Sequence, residues 1–242
     1  EVTCYYEVCS RDVLKGKFHH WTRMDDNIEN SLWIEMEEDG LQTLLPRLHS
    51  LINSDFSEKY NPLLDYLTAL PAWDGKTDYI QMLADRIHIA DTMVPTIPRK
   101  TSDTSSRMVC SMVVTWVTDT VVGQTILIFV GKGGLFKTTF FDKLLPKVLH
   151  DYFINESTAS YTDKDFMEAF SSKALLCLDE FEMVFGKNLS AFKSNMTKVT
   201  FSIRRPYDKY RSEMPHRGSL CGTTNNQQFI TDEENRRYCP CW

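Results

Sequence analysis

One stretch constrains the fold more than any other. Thr125-Ile126-Leu127-Ile128-Phe129-Val130 is followed by Gly131-Lys132-Gly133-Gly134-Leu135-Phe136, and then Lys137-Thr138-Thr139 opens a helical pattern. A β-branched apolar run this short is a strand buried on both faces. The glycines form a turn, and a helix is expected from Lys137 to about Leu149. Strand, glycine turn and helix in that order is the context a phosphate-binding loop requires. Its backbone N–H groups and the helix start would cradle a polyphosphate through Gly131, Gly133 and Gly134. Lys137 would reach the terminal phosphates, and the Thr138 hydroxyl would hold Mg²⁺. The pattern GxxxxGK[ST] fails at one position, because Phe136 stands where the glycine before the lysine belongs. Glycine lets a tight backbone pass close to phosphate; a β-carbon and a ring oppose it. The sequence therefore predicts strain at Phe136 and a weakened hold on nucleotide. The plain alternative is a glycine-rich turn before a helix with a surface lysine.

A second apolar strand, Ala174 to Leu178, ends in Asp179-Glu180, 42 positions after Lys137. In a phosphate-loop enzyme the first carboxylate, Asp179, holds Mg²⁺ through water and the second, Glu180, polarises the attacking water. A strand ending in solvated acids is the alternative. A third strand, Ser219 to Thr223, runs into Thr224-Asn225-Asn226, where Asn225 could sense a terminal phosphate; a turn-forming Asn pair reads equally simply. Farther on, Arg236-Arg237 could supply positive charge to a phosphoryl-transfer transition state, or be solvated arginines.

Upstream the pattern is helical. Ile28, Leu32, Trp33 and Met36 recur at three and four residues behind an Asp cap, and Gly40 stops the run. Further helical segments are expected at Gln42–Ile52, Pro62–Leu70 and Asp78–Ile87, with a turn at Pro71–Gly75 and a polar connector at Arg99–Ser106. A buried helix is expected from Arg107 to about Val117. The chain thus reads as a mostly helical N-terminal region, 1–106, before an α/β unit with a mainly parallel sheet, 107–242. With 242 residues, 42% of them hydrophobic, it is long enough for one large domain or two small ones. Met108 to Val130 is too polar in its middle for a bilayer span. No secretory signal precedes Ser10, and seven cysteines without zinc spacing read as reduced thiols, so a cytoplasmic protein without a membrane role is expected.

Charge is unevenly placed. Lys187 to Arg217 carries eight Lys/Arg against Asp208 and Glu213, a net +6, which leaves −12 for the rest of a chain whose total is −6. A local contact with a polyanion is the natural reading, and a solvated basic loop or an ion-paired subunit surface is the alternative.

The order of glycine-loop lysine, strand-end Asp-Glu, basic segment and Thr-Thr-Asn between Gly131 and Asn225 resembles a superfamily 3 helicase core, a P-loop NTPase of AAA+ kind. Asn61-Pro62-Leu63-Leu64-Asp65-Tyr66-Leu67, Trp73-Asp74-Gly75, Ile203-Arg204-Arg205-Pro206-Tyr207 and Thr223 to Phe229 are more closely similar to the virulence-associated protein E family of phages and bacterial mobile elements. The resemblance implies an ATP- and Mg²⁺-dependent hexameric motor acting in replication, often joined to a primase domain. Lys137, Thr138, Asp179, Glu180 and Asn225 match the family pattern, and Arg237 matches the arginine finger more weakly. Lys198, Arg204, Arg205, Lys209, Arg211 and Arg217 resemble the hairpin lining a central channel, where single-stranded DNA or RNA would be gripped by charge while Tyr207 and Tyr210 stack bases. Against that resemblance the end at Trp242, soon after the arginines, reads as that of a fragment lacking a primase part and the C-terminal end of the core. A rival reading is a nucleic-acid-binding or assembly module that does not turn over ATP, with Phe136 as its mark.

Overall fold

The computed structural model describes residues 9–14, 17–23, 25–52, 54, 61–87, 101–156, 164–184, 189–204, 210–226 and 238–241. Backbone contacts divide the chain into two compact units, Thr3–Asn61 and Pro62–Trp242.

The first unit holds an antiparallel pair, β1 (Cys9–Leu14) and β2 (Lys17–Arg23), with its register shifting between Arg11 and Val13. Two helices follow, α1 (Asp26–Glu38) and α2 (Leu45–Ile52). The Asp25 carboxylate accepts the Ile28 N–H at 2.8 Å and so caps the start of α1. Gly40, at φ 81°, ends it in the left-handed turn that favours glycine. The Trp33 indole donates to the Thr43 carbonyl at 2.8 Å, which folds the connection back onto α1.

In the second unit, α3 (Pro62–Ala69) and α4 (Tyr79–Ala84) flank a turn that Asp74 organises. Its carboxylate accepts the N–H groups of Lys76 and Thr77, both at 2.9 Å, and the Thr77 hydroxyl. Those bonds stabilise the ionised form and hold the Asp74 pKa below its usual range. The helix α5 runs from Thr101 to Val117, so residues 101–106, expected to be connector, form its first turns.

The sheet has five strands: β3 (Ile126–Val130), β4 (Phe153–Glu156), β5 (Leu175–Leu178), β8 (Ser219–Thr224) and β9 (Tyr238–Cys241), in the order β4-β5-β8-β3-β9 and parallel throughout. All five residues of β3 are buried, as the continuous apolar run requires. Ile126, Ile128 and Val130 pack with Leu176, Leu178, Leu220 and Tyr238 on one face, while Phe129 stacks on Phe141 with ring centroids 4.6 Å apart.

The helix after the glycine loop, α6 (Lys137–Asp142), is shorter than expected. Pro146 has no N–H to return to Asp142 and disfavours helical geometry at Leu145, so the chain resumes only as a 3-10 turn over Lys147–Tyr152. Beyond it, α7 (Lys164–Ser172) and α8 (Leu189–Met196) cover the core face with Phe166, Phe170, Phe192 and Met196.

A separate antiparallel pair, β6 (Thr200–Ile203) and β7 (Ser212–Pro215), sits on that layer. Phe201 and Ile203 point into the core while Thr200 and Ser202 face out, and the Phe201 and Phe170 rings stack 5.7 Å apart. The basic segment therefore comprises α8 and an antiparallel strand pair rooted in the core.

Candidate functional site

Parallel pairing brings three strand ends to one edge. Val130 is paired with Thr224, and Leu178 with Gly222, so the glycine loop after β3, Asp179-Glu180 after β5 and Asn225 after β8 leave the sheet side by side. The chain leaves β3 toward the β4 edge and leaves β8 toward β9 on the far side of β3. Connections diverging in this way open a crevice beyond the carboxyl ends of the strands. A cleft of about 330 Å³ lies there, bordered by Gly133, Gly134, Lys137, Thr138, Asp179 and Asn225 among others.

Lys137 is its centre. The ammonium donates to the carbonyls of Gly131 at 2.6 Å and Lys132 at 3.0 Å, and to Asn225 Oδ1 at 2.9 Å. Three oxygens match the three protons of an ammonium. Burial pushes the Lys137 pKa below its ordinary range, while the Asp179 and Glu182 carboxylates pull the other way. Candidates 88 positions apart in sequence are thus in direct contact.

Two threonines at the end of β8 hold the acids. The Thr223 hydroxyl donates to Asp179 Oδ1 and the Thr224 hydroxyl to Glu182 Oε2. Thr224 also accepts from the Asn226 N–H at 3.0 Å through its hydroxyl and from the Gly131 N–H at 3.1 Å through its carbonyl. One residue therefore ties the root of the glycine loop, the acid-bearing segment and the Asn turn together. Sequence reading missed Glu182, whose only signal was its closeness to Asp179, and took Thr223 and Thr224 as part of the Thr-Thr-Asn pattern without giving them a role.

Phe136 adopts φ 54°, ψ 26°, the left-handed conformation a glycine would supply, and its side chain is 78% exposed. Gly134 is left-handed too, at φ 83°. Glu180 likewise has φ 52° and is exposed at the cleft rim. Two non-glycine residues forced into this region border one cleft, a concentration of backbone strain characteristic of functional sites.

Among the described residues no group of three or more His, Cys, Asp or Glu side chains could hold a metal ion. The donors at the cleft, the Asp179 carboxylate and the Thr138 hydroxyl, are hard oxygens. They suit a cation that keeps waters and takes its other ligands from a bound polyphosphate, as Mg²⁺ does.

The proposed nucleic-acid contacts divide. Arg204 and Arg211 are exposed at the free ends of β6 and β7, and Tyr210 between them is 81% exposed. Lys198 is exposed and donates to Asn195 Oδ1 at 2.8 Å. Arg205, Tyr207, Lys209 and Arg237 lie outside the described residues. Arg217, expected to share in the basic surface, is instead only 1% exposed, and its guanidinium donates to the Thr118 carbonyl and to Asp119. Its charge is spent inside the fold.

Fold and site define an α/β domain that carries a glycine loop, a partly buried lysine and an acid pair on the carboxyl edge of a parallel sheet. The family model of the virulence-associated protein E-like domain matches residues 67–241, and the chain belongs to that family. Among solved structures, the apo structure of NrS-1 C terminal region (305–718) superposes with a TM-score of 0.51 at 17% identity, covering 76% of this chain and 41% of that one. The A form apo structure of the NrS-1 C terminal region gives a TM-score of 0.48 at 18% identity over the same shares. The chain spans less than half of those structures, and the first likeness is one of fold. A comparison with curated proteins finds no match. No helix among the described residues is long and apolar enough to cross a membrane.

Proposed function

We propose that this chain is the ATP-binding core of a superfamily 3 helicase-like motor acting in the replication of a phage or mobile element. The observation that carries the reading is Lys137, hydrogen-bonded to Asn225 and to the loop carbonyls in the cleft it shares with Asp179, where three parallel strands end. A lysine, a strand-end acid and an amide converging on a glycine loop form the constellation that phosphoryl transfer uses.

In this reading the loop N–H groups and Lys137 bind the β- and γ-phosphates, the ammonium exchanging carbonyl partners for phosphate oxygens. Thr138 and Asp179 would hold Mg²⁺, which when bound neutralises charge between the phosphates. Glu180 accepts a proton from the attacking water, and Asn225 orients that water or the terminal phosphate. Arg237 would act on the site of a neighbouring subunit in a ring. The hairpin bearing Arg204 and Arg211, together with Arg205, Tyr207 and Lys209, would contact single-stranded DNA or RNA. A primase domain is the protein partner this function implies.

A non-hydrolysing assembly module is the second reading, and Phe136 favours it. One experiment separates them: Mg-ATP binding by calorimetry with single-strand-stimulated hydrolysis on the same sample. The motor reading expects Glu180→Gln to keep binding and lose hydrolysis, and Lys137→Ala to lose binding. Equal loss of binding in both variants, or binding without hydrolysis in the parent, overturns it.

A further inference from the structure

A second, larger cavity adjoins the phosphate cleft. It measures about 900 Å³ and shares Leu135, Phe136, Lys137 and Thr139 with that cleft. Its walls come from two places far apart in sequence. Tyr79, Leu83 and Ile87 belong to α4 and the turn after it, while Phe129 lies on β3 and Phe140 and Leu144 follow the glycine loop. Val130 and two cations besides Lys137, Arg86 and Lys143, complete the described lining, which contains no carboxylate. Tyr79 is 62% exposed, so its ring is presented to the cavity mouth and not consumed by the core.

Resting on the phosphate-binding reading above, we propose that this cavity is the nucleoside pocket of the same site. The base and ribose would lie between α4 and α6, with Tyr79 and Arg86 as the principal contacts. Three features choose this occupant over other apolar ligands. The cavity and the cleft share Leu135, Phe136, Lys137 and Thr139 in their walls, so one molecule with an apolar end and a polyphosphate end could span both. Its volume exceeds what a purine nucleoside needs and lies within the range of small-molecule sites. Its charged lining is cationic, which suits the polyanionic tail, and an aromatic side chain beside a guanidinium is the pairing on which a nucleobase stacks.

The inference gives α4 a role that no motif announces: a helix remote in sequence from the glycine loop would select the nucleoside. The pocket wall would be built within the second unit, and Asp78, which caps α4 by accepting the Gln81 N–H at 2.8 Å, would fix the helix start from which Tyr79 projects.

The test compares ATP, ADP and inorganic tripolyphosphate, each with Mg²⁺, by calorimetry on the full chain and on Tyr79→Ala and Arg86→Ala. Stacking on one side chain is commonly worth about tenfold in affinity. The expected result is parent binding of ATP at least about tenfold tighter than tripolyphosphate, with each variant losing about tenfold for ATP and ADP and nothing for tripolyphosphate. Because Tyr79 is exposed, its removal leaves the fold intact, and unchanged tripolyphosphate binding verifies this directly. Photolabelling with 8-azido-ATP gives an independent readout, with adducts expected within residues 79–87 or 139–144. Equal affinity for ATP and tripolyphosphate, or a nucleotide preference that both variants retain, overturns the pocket while leaving the phosphate site standing. Failure of the parent to bind either ligand overturns the phosphate-binding reading and the pocket with it.

Discussion

Replacing Phe136 by glycine isolates the one position at which this glycine loop departs from its pattern. A non-glycine residue in the left-handed region costs about 1–2 kcal/mol, which Phe136→Gly releases. Two losses oppose that gain. Greater freedom of glycine in the unfolded chain costs about 0.4–1 kcal/mol. The ring is 78% exposed, so deleting it forfeits only about 0.5 kcal/mol of burial. Stability should therefore move by no more than about 1 kcal/mol, or roughly 2–4 °C in Tm. The consequence for binding is sharper. If the ring pushed the loop away from phosphate, relieving about 1–3 kcal/mol of strain would tighten binding ten- to a hundredfold. The backbone at Phe136 already holds the glycine-like conformation, so the strain is present before and after binding and cancels. Phe136→Gly is expected to change tripolyphosphate affinity by less than about threefold. Tripolyphosphate is the cleaner ligand because the ring also borders the adjoining cavity. Calorimetry on parent and variant, with thermal denaturation alongside, makes the measurement. A tenfold or larger gain in the variant refutes the argument.

Three further perturbations test other parts of the structure. Gly222→Ala places a β-carbon 2.8 Å from Cδ2 of the fully buried Phe181, so it should destabilise by about 1–3 kcal/mol in urea titrations and, by moving the segment after Glu180, weaken hydrolysis; an unchanged urea midpoint contradicts it. Burial pushes the His216 pKa below its ordinary 6.5 despite two carbonyls at its ring nitrogens, Lys198 at 2.8 Å and Gly218 at 2.9 Å. The unfolded chain then binds the proton more readily, so the contribution to stability is intact above pH 6.5 and lost as the pH falls below it toward the folded-state value. Urea midpoints of the parent and of His216→Asn between about pH 7.5 and 5 should converge as the pH falls; parallel curves refute the assignment. Arg204→Glu with Arg211→Glu should weaken single-strand binding, reduce its salt slope by about 2 and leave Tm unchanged; an unaltered affinity at low salt removes the hairpin from the interface.

The parts of the fold that sequence reveals are those whose burial is complete. β3, β5 and β8 lie inside the sheet and are buried on both faces; β3 and β5 print continuous apolar runs, whereas β8 shows only Leu220, Cys221 and Gly222 between Ser219 and the two threonines. The edge strands print nothing comparable. β4 mixes Phe153 and Ile154 with Asn155 and Glu156, and β9 contains Pro240, which central strands avoid. The hairpin of β6 and β7 is implied only by the family resemblance and not by local pattern, because only Phe201, Ile203 and Met214 among its eight residues form part of the core cluster. The site divides in the same way. Lys137, Asp179 and Asn225 sit next to legible strand ends. Glu182 becomes relevant only through the pairing of β5 with β8, which no local pattern encodes.

Arg217 shows why charge runs mislead and what the real basic surface must be. Counting residues makes it one of eight cations in the basic segment. In the fold it precedes β8 by two positions, where its N–H and that of Gly218 both donate to the Phe170 carbonyl, at 2.8 and 2.7 Å. That anchorage turns the guanidinium inward to the Thr118 carbonyl and to Asp119, so removing it forfeits charge-assisted hydrogen bonds and the packing of the buried stem, together about 2–3 kcal/mol, while Asp119 stays partly solvated. Arg217→Ala should therefore lower stability by that order, whereas Arg204→Ala at the exposed hairpin should not. If Arg217→Ala left the urea midpoint unchanged and lowered single-strand affinity instead, the guanidinium would belong to the surface, and the division of the segment into a structural cation and a binding hairpin would fail.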